Sequence, residues 1–330
     1  MKFDVIIGNP PYQLNDGGGM GTSAKPLYDQ FVQQAKKMNP RFLTMIIPAR
    51  WFSGGKGLDE FRNNMLKDNR ITRLVDYFVS NDCFSGVDIS GGVCYFLWER
   101  DCQGECEIIS IREGKQSIMR RPLLEKTANS FIRFNEAISI VRKIMEFNET
   151  SFETIVSVRR PFGIDAKVKI QKKPFQDSIK FYSYPENGYI SMSEIKRNVQ
   201  WIDKPKVFIT KAYGERGNFP YFVLGRPFID KETSCCSETY LVVGTFDSDE
   251  KNKNVSQYLT TKFLRFLVLL KKNTQNAPKN VYSFVPMQDF SESWTDKKLY
   301  KKYGLTADEI AFIENMIRPM DLTTNEDNNK

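Results

Sequence analysis

The chain has no histidine. That absence removes the commonest general base at neutral pH, together with Ser-His-Asp and Cys-His nucleophilic schemes. Any chemistry must run on amides, carboxylates, tyrosine, lysine or backbone groups. Long apolar runs are lacking too. None approaches the ~20 residues that a membrane-spanning helix needs, and the nearest, Phe263 to Leu270, is interrupted by Arg265. No signal-peptide pattern opens the sequence. These absences lead us to expect a soluble, cytoplasmic protein with no membrane partner. Cysteine is sparse and badly spaced for metal. Cys83, Cys94, Cys102 and Cys106 follow no zinc-binding spacing, and Cys235 and Cys236 are adjacent, a placement that rarely forms a bridge. Free thiols and no metal site are expected.

What is present is enough apolar material for a core: 41% hydrophobic and 13% aromatic over 330 residues, a length that suits two or three domains. The net charge is +8, and it is unevenly spread. Residues 1–150 hold 20 Lys+Arg against 18 Asp+Glu, whereas 155–231 hold 15 against 7, a net of +8 in that stretch alone. Concentrated positive charge suits a polyanion; a solvated basic face is the bland alternative.

Lys2–Gly8 is an apolar, β-branched run that reads as a buried strand. A loop rich in Gly, Asn and Pro follows to Pro26. Leu27–Met38 has helical spacing, with Leu27, Phe31, Ala35 and Met38 on one face. Strands are expected at Phe42–Ile47, Ile71–Val79, Gly92–Glu99 and Cys106–Arg112, and a helix at Leu58–Lys67 facing Leu58, Phe61, Met65 and Leu66 inward. Alternating strands and helices mark a doubly wound α/β sheet, and the last strands, with no helix between them, imply an antiparallel edge hairpin. A sheet opening this abruptly looks like the second half of a larger one. Phe131–Phe147 reads as a linking helix. From 151 to 290 the pattern turns to short strands, among them Phe181–Tyr184, Lys206–Thr210, Tyr221–Leu224 and Thr239–Val243, with one helix at Leu259–Lys271. Helices close the fold over 291–320, where Thr306 and Glu309 form a capping box, and 321–330 reads as a disordered tail.

The chemistry lies in Asn9-Pro10-Pro11-Tyr12, just past the first strand. An exocyclic amine is a poor nucleophile because its lone pair is delocalised into the base ring. Two acceptors fixed in one small arc can take both N–H bonds and bend the nitrogen towards sp³. The Asn9 side-chain oxygen and the Pro10 carbonyl supply such a pair, and the prolines fix φ and remove competing donors. Tyr12 can stack on an unstacked base. A loop after a strand's carboxyl end is where open α/β sheets bind ligands.

FDVIIGNPPYQ resembles the catalytic motif of the S-adenosylmethionine-dependent amino-methyltransferases, and its Asn form resembles the adenine-N6 DNA enzymes. The resemblance implies that Asn9 and Pro10 bind the target amine and that Tyr12 stacks on a flipped base. Asp82-Cys83-Phe84-Ser85-Gly86 before the strand GGVCYFLWE is similar to a segment of the γ-class enzymes whose aromatic covers the other face of that base. Phe84 takes that place, or is a core residue at the strand's start. The whole chain resembles the methyltransferase part of type II restriction–modification proteins of the IIG kind with a fused specificity domain. Its closing stretch Trp294–Thr306 is similar to their common ending.

The expected architecture is therefore the second half of a Rossmann-like methyltransferase sheet over 1–125, a linking helix over 126–150, and a mixed α+β target-recognition domain over 151–290. Members of the resembled family also carry a Gly-rich cofactor motif ahead of the catalytic loop, with acidic residues for the cofactor ribose and adenine. No such motif stands ahead of Asn9. Gly17-Gly18-Gly19-Met20-Gly21 follows the catalytic loop instead and lacks the rest of the fingerprint; a lid, a DNA-contacting loop or a linker suits it better. The expected partners are double-stranded DNA and an upstream half or separate subunit completing the S-adenosylmethionine site, without which the chain is expected to be inactive. Any nuclease of the parent protein is expected outside this chain. For DNA contact the residues are Arg159, Arg160, Lys167, Lys169, Lys172, Lys173, Lys196, Arg197, Lys211 and Arg216, with Tyr182, Tyr184, Trp201 and Tyr213 interleaved and Gln200 a further candidate base reader. Two other functions stay open: a non-catalytic DNA-binding specificity module, and an rRNA or protein-glutamine methyltransferase sharing the tetrapeptide.

Overall fold

The computed structural model describes residues 3–14, 25–55, 57–126, 128–214, 219–272 and 274–321. The Gly17–Gly21 loop, Arg216 and the tail beyond Asp321 lie outside them. The chain forms two compact units, 1–138 and 139–330; their boundary falls within the stretch read as the linking helix.

The first unit runs β1 (Val5–Gly8), α1 (Tyr28–Lys37), β2 (Phe42–Pro48), α2 (Asp59–Leu66), β3 (Ile71–Tyr77), β4 (Val93–Glu99), β5 (Cys106–Arg112) and β6 (Lys115–Arg121). The six strands make one mixed sheet in the order β1-β2-β4-β3-β5-β6. β1 is parallel to β2 and β3 to β5, while β4 runs antiparallel between β2 and β3. The antiparallel edge hairpin is β5 with β6, a strand the sequence reading lacks; the two strands expected to form it, β4 and β5, are separated by β3.

Period-two alternation decides what each strand buries. Leu43, Met45 and Ile47 of β2 and Cys94, Phe96 and Trp98 of β4 face one cluster with Tyr28, Val32 and Ala35 of α1, with Phe61, Met65 and Leu66 of α2, and with Trp51 and Phe52. Each of the largest of these side chains removes 150–250 Å² from water, so this cluster is the main source of the unit's stability.

Two sequence expectations fail here. β1 is not fully buried: Val5 is 51% and Ile7 77% exposed, because β1 is an outer strand of the sheet. On α1 the inward face is Tyr28, Val32 and Ala35, one residue round from the expected stripe, and Phe31 and Met38 face solvent. Tyr28 explains the rotation, since its ring packs edge-on against Phe61 at 6.0 Å.

Asp68, in the turn between α2 and β3, is a second anchor. It accepts from Lys36 at 2.5 Å, from Arg70 Nε at 2.7 Å and Nη2 at 3.0 Å, and from Trp98 Nε1 at 3.0 Å. It thereby ties α1 to β4 through polar contacts at the sheet's far end.

The boundary between the units falls in α3 (Ala137–Glu146), which is shorter than expected because 131–134 lies outside any helix. The second unit continues with β7 (Ser178–Tyr182), β8 (Gly188–Ser191), β9 (Lys206–Thr210), β10 (Phe228–Asp230), β11 (Ser234–Cys236), β12 (Tyr240–Thr245), α4 (Asp249–Thr260), α5 (Lys262–Leu269), α6 (Asp296–Lys302) and α7 (Ala307–Met316). Two three-stranded sheets, β10-β9-β12 and β11-β7-β8, share a core of Phe162, Phe181, Phe208, Cys235, Cys236 and Val242. All six cysteines are free thiols.

Tyr221–Leu224 is not a strand; Tyr221 makes only an isolated bridge to Ile317. α4 escaped the sequence reading because Asn252, Asn254 and Ser256 occupy its buried side and blur the apolar stripe. Its start is nonetheless marked by Ser248, whose hydroxyl caps Lys251 N. The capping box of Thr306 and Glu309 is present.

The Asp68 anchor has a testable pH signature. Burial alone would raise the Asp68 carboxyl, but hydrogen bonds from Arg70, Lys36 and Trp98 outweigh it and hold the group well below its ordinary range. A depressed carboxylate contributes stability above its unfolded pKa of ~4 and loses it as pH falls through the folded value. Asp68→Asn should therefore destabilise the first unit by about 2 kcal/mol at pH 7, followed by tryptophan fluorescence in urea. That difference should shrink steadily below about pH 4; a difference independent of pH contradicts the assignment.

Candidate active site

β1, β2, β3 and β5 point one way, and their carboxyl ends form a single rim. Three connections gather there. Asn9–Tyr12 leaves β1, the 3-10 turn Ala49–Ser53 leaves β2, and residues 78–92 link β3 to β4.

The tetrapeptide is tethered at both ends. Gly8 pairs with Met45 of β2. Beyond Tyr12 the chain pairs with the segment leading into α1: the Tyr12 carbonyl accepts from Leu27 N at 3.2 Å, Leu14 N donates to Lys25 O at 3.1 Å, and Gln13 bridges Pro26. Pro10 is buried and Asn9 exposed, so the proline anchors the loop while the amide faces outward. Tyr12 is half-buried.

The 78–92 connection is closed by several separate ties. Ser80 Oγ donates to Val87 O and accepts from Ile89 N, both at 2.7 Å. Asn81 Oδ1 accepts from Gly86 N at 2.8 Å. Phe84 N donates to Ser80 O at 2.8 Å. At the base, Gly92 lies so close to β3 that an added Cβ would sit 2.0 Å from the Tyr77 carbonyl, at φ +81°; only glycine fits. Arg133 then locks the base. Its Nε and Nη2 hold the fully buried Asp76 at 2.7 and 2.6 Å, its Nη1 donates to Gly91 O at 2.9 Å, and its guanidinium lies 4.1 Å from the Phe78 ring centre. Burial pushes the Asp76 carboxyl up, against the pull of Arg133.

This closed loop carries Cys83 and the half-buried Phe84 at the same rim as the tetrapeptide. The Tyr12 hydroxyl is raised first by burial and then by Cys83 and Cys94, so strand, loop and tetrapeptide share one field. Cys94 itself accepts from Trp51 Nε1 at 3.4 Å.

Three buried polar atoms here have no hydrogen-bond partner among the described residues: the hydroxyls of Tyr12 and Tyr28, and Asp29 Oδ1. Buried polar groups are rarely left so. Sequence reasoning missed Tyr28, Asp29, Asp76 and Arg133. Only Asp76 left a signal, as an acid inside an apolar strand, because a buried carboxylate requires a partner. That partner, 57 residues on, falls in a segment the sequence reads as helix.

The basic residues lie in the second unit. Arg159 and Arg160 are exposed on a turn whose Gly163 would place a Cβ 2.9 Å from Lys196 Cβ and 3.5 Å from Arg197 Cγ. The two basic pairs therefore adjoin. Lys167, Lys169, Lys172 and Lys173 are exposed along the following stretch. Several are ion-paired: Arg160 with Asp165 at 2.5 Å, Arg159 with Glu238 at 3.8 Å and Lys172 with Glu186 at 3.5 Å. Lys211 differs, being half-buried with Nζ on Asn276 Oδ1 at 2.9 Å. Of the interleaved aromatics, Tyr182 packs against Phe208 and Phe228 as part of the core, and Trp201 packs edge-on to Phe162. Tyr184 is 66% exposed. Among the described residues no cluster of acidic and thiol groups could hold a metal ion.

Residues 1–84 match the sequence model of the family described as "Eco57I restriction-modification methylase". A protein of Mycoplasma pneumoniae described as "Uncharacterized adenine-specific methylase" is 44% identical over 107 residues, 32% of this chain and 25% of that protein's length. Among solved structures, the type IIG restriction endonuclease BpuSI aligns over 94% of this chain and 48% of its own, with 12% identity and a TM-score of 0.38. The type IIL restriction–modification enzyme MmeI, solved with DNA, aligns over 84% and 45%, with 9% identity and a TM-score of 0.48. The chain thus spans less than half the length of these relatives. The sequence similarity to the Eco57I restriction-modification methylases falls on the segment that runs from the tetrapeptide to Phe84.

Proposed function

We propose that this chain carries the target-base end of an adenine-N6 DNA methyltransferase of a restriction–modification system. The observation carrying this reading is the rim itself. Asn9, Pro10 and Tyr12 lie on the connection that leaves β1, and the loop closed by Gly92 and Arg133 carries Cys83 and Phe84 at the same rim. In this reading the Asn9 amide oxygen and the Pro10 carbonyl accept the two N–H bonds of the target amine. Tyr12 stacks on one face of the flipped base and Phe84 covers the other. The match of residues 1–84 to a methylase family and the relative described as adenine-specific favour this reading over an rRNA or glutamine substrate. The exposed basic pairs of the second unit favour duplex DNA as the partner.

The methyl donor in this reading is S-adenosylmethionine, which supplies the electrophilic methyl group when bound. The described residues do not fit a complete site for it: they contain no Gly-rich strand–turn–helix with an acid at the next strand's end. We assign that site to an upstream half or separate subunit. β1 supports this: it is an outer strand whose free hydrogen-bonding edge can accept a further strand, and Val5 and Ile7 leave apolar surface exposed on one of its faces.

Labelled methyl transfer tests the reading, with the chain joined to an upstream half and offered duplex DNA, rRNA or a release factor. Transfer to duplex DNA alone is expected. Asn9→Ala should lower the rate roughly 100-fold, as the loss of one placed polar group does. Phe84→Ala should raise KM for DNA about 10-fold through lost stacking. Preferred labelling of rRNA or protein refutes the reading. Calorimetry of the isolated chain should show no tight binding of S-adenosylmethionine; a submicromolar affinity contradicts the assignment of the cofactor site to another segment.

A further inference from the structure

The proposed DNA partner leaves open which side chains tell one sequence from another, and the second unit separates its polar residues into two kinds. Lys167, Lys169, Lys172, Lys173, Lys196 and Arg197 are exposed on irregular connections. Long cations held this loosely contact phosphates, which position a protein without reading bases. Lys211, Glu238 and Asn276 are held differently, and Arg159, exposed on its turn, lies beside Glu238.

Lys211 leaves the end of β9, where its backbone N donates to Thr239 O at 2.8 Å next to the β9–β12 ladder. Its carbonyl accepts from Ala277 N at 2.7 Å, Tyr213 N donates to Gln275 O at 2.8 Å, and Ala212 bridges Asn276. Two backbone ladders therefore fix Lys211 and Asn276 side by side, with Nζ on the amide oxygen at 2.9 Å. Glu238 and Thr239 form the turn that leads into β12. Its Oε2 accepts from Ala166 N at 2.8 Å, whereas its Oε1 lies 3.8 Å from Arg159, beyond hydrogen-bond length. The Lys211 ammonium is lowered by burial and then by Arg159, and supported by Glu238, so the three charges face one another. Tyr184, 66% exposed, is anchored to the same spot through its backbone N on Thr239 Oγ1 at 3.1 Å.

These are the groups that read base edges in a major groove: Lys and Arg for the guanine acceptors, an Asn amide for adenine, a carboxylate for the cytosine amine. Direct reading requires a rigid platform: two ladders hold Lys211 and Asn276, and the hydrogen bond from Ala166 N holds Glu238.

We propose that Lys211, Asn276, Glu238 and Arg159 form the base-reading site for duplex DNA, and that the six exposed cations around it bind phosphates. This proposal rests on the DNA-partner reading above.

The test is in vitro selection from a randomised duplex library with the full chain. The chain should enrich one motif. Asn276→Ala, Lys211→Ala and Glu238→Gln should each lose discrimination at one or two motif positions, about 10-fold per position, with affinity for bulk duplex DNA within roughly threefold. Lys211→Arg and Asn276→Gln, which keep the local charge and polarity, should bind and shift the preferred base. The Lys172→Ala, Lys173→Ala double variant should weaken binding to every sequence and flatten the salt dependence by roughly two charges without altering the motif. Binding with no enriched motif, or a motif unchanged in the Lys211, Asn276 and Glu238 variants, overturns the base-reading site and leaves the DNA reading standing. No binding to duplex DNA overturns both.

Discussion

The guanidinium of Arg133 on the carboxylate of Asp76 is the interaction on which the rim of the first unit depends. A carboxylate with no exposed surface costs several kcal/mol of lost hydration, and removing its partner would leave that cost uncompensated. The same guanidinium reaches Gly91 O and lies over Phe78. It therefore joins the end of β3, the start of β4 and the loop between them in one rigid corner. Because Gly92 is pressed against Tyr77, the loop cannot slide past its base. The place of Phe84 on this rim follows from that corner.

The tetrapeptide depends on the same economy of backbone freedom. It is bounded by the β1–β2 ladder before Asn9 and by the pairing of 12–14 with 25–27 after it. Two anchored ends and two prolines leave little room for the acceptors to wander, which is what a preorganised polar site requires. Among the described residues, the hydroxyls of Tyr12 and Tyr28 and Asp29 Oδ1 are buried without a hydrogen-bond partner. In the second unit, polar groups on ladders and polar groups on loops form two populations, and the proposed division between reading bases and holding phosphates follows that difference in rigidity.

Much of the first unit was legible in the sequence because its strands are continuous apolar runs and its turns are marked by Gly and Pro. The tetrapeptide was legible because its chemistry needs those residue types in that order. What escaped is physically specific. The rotation of α1 was misread because Tyr28, an amphipathic residue, buries its ring, while Phe31, an apolar one, does not. The exposure of β1 depends on which strand lies at the edge, and alternation within one strand does not encode that. Arg133 was assigned to a helix, yet 131–134 lies outside any helix or strand and Arg133 reaches Asp76 from there. α4 was hidden by buried asparagines whose amide groups donate within the fold, Asn252 to Phe246 O and Asn254 to Phe290 O. Lys211 and Asn276 are 65 residues apart, and only the ladders bring them together.

The central claim is that Asn9 and Pro10 present an exocyclic amine of adenine for methylation. Nucleoside analysis of plasmid DNA by mass spectrometry tests it most directly. The plasmid is recovered from cells expressing the chain joined to an upstream half, in the wild-type form and as Asn9→Ala. The account predicts N6-methyladenine that disappears with Asn9→Ala. N4-methylcytosine, or N6-methyladenine that persists without Asn9, would contradict it.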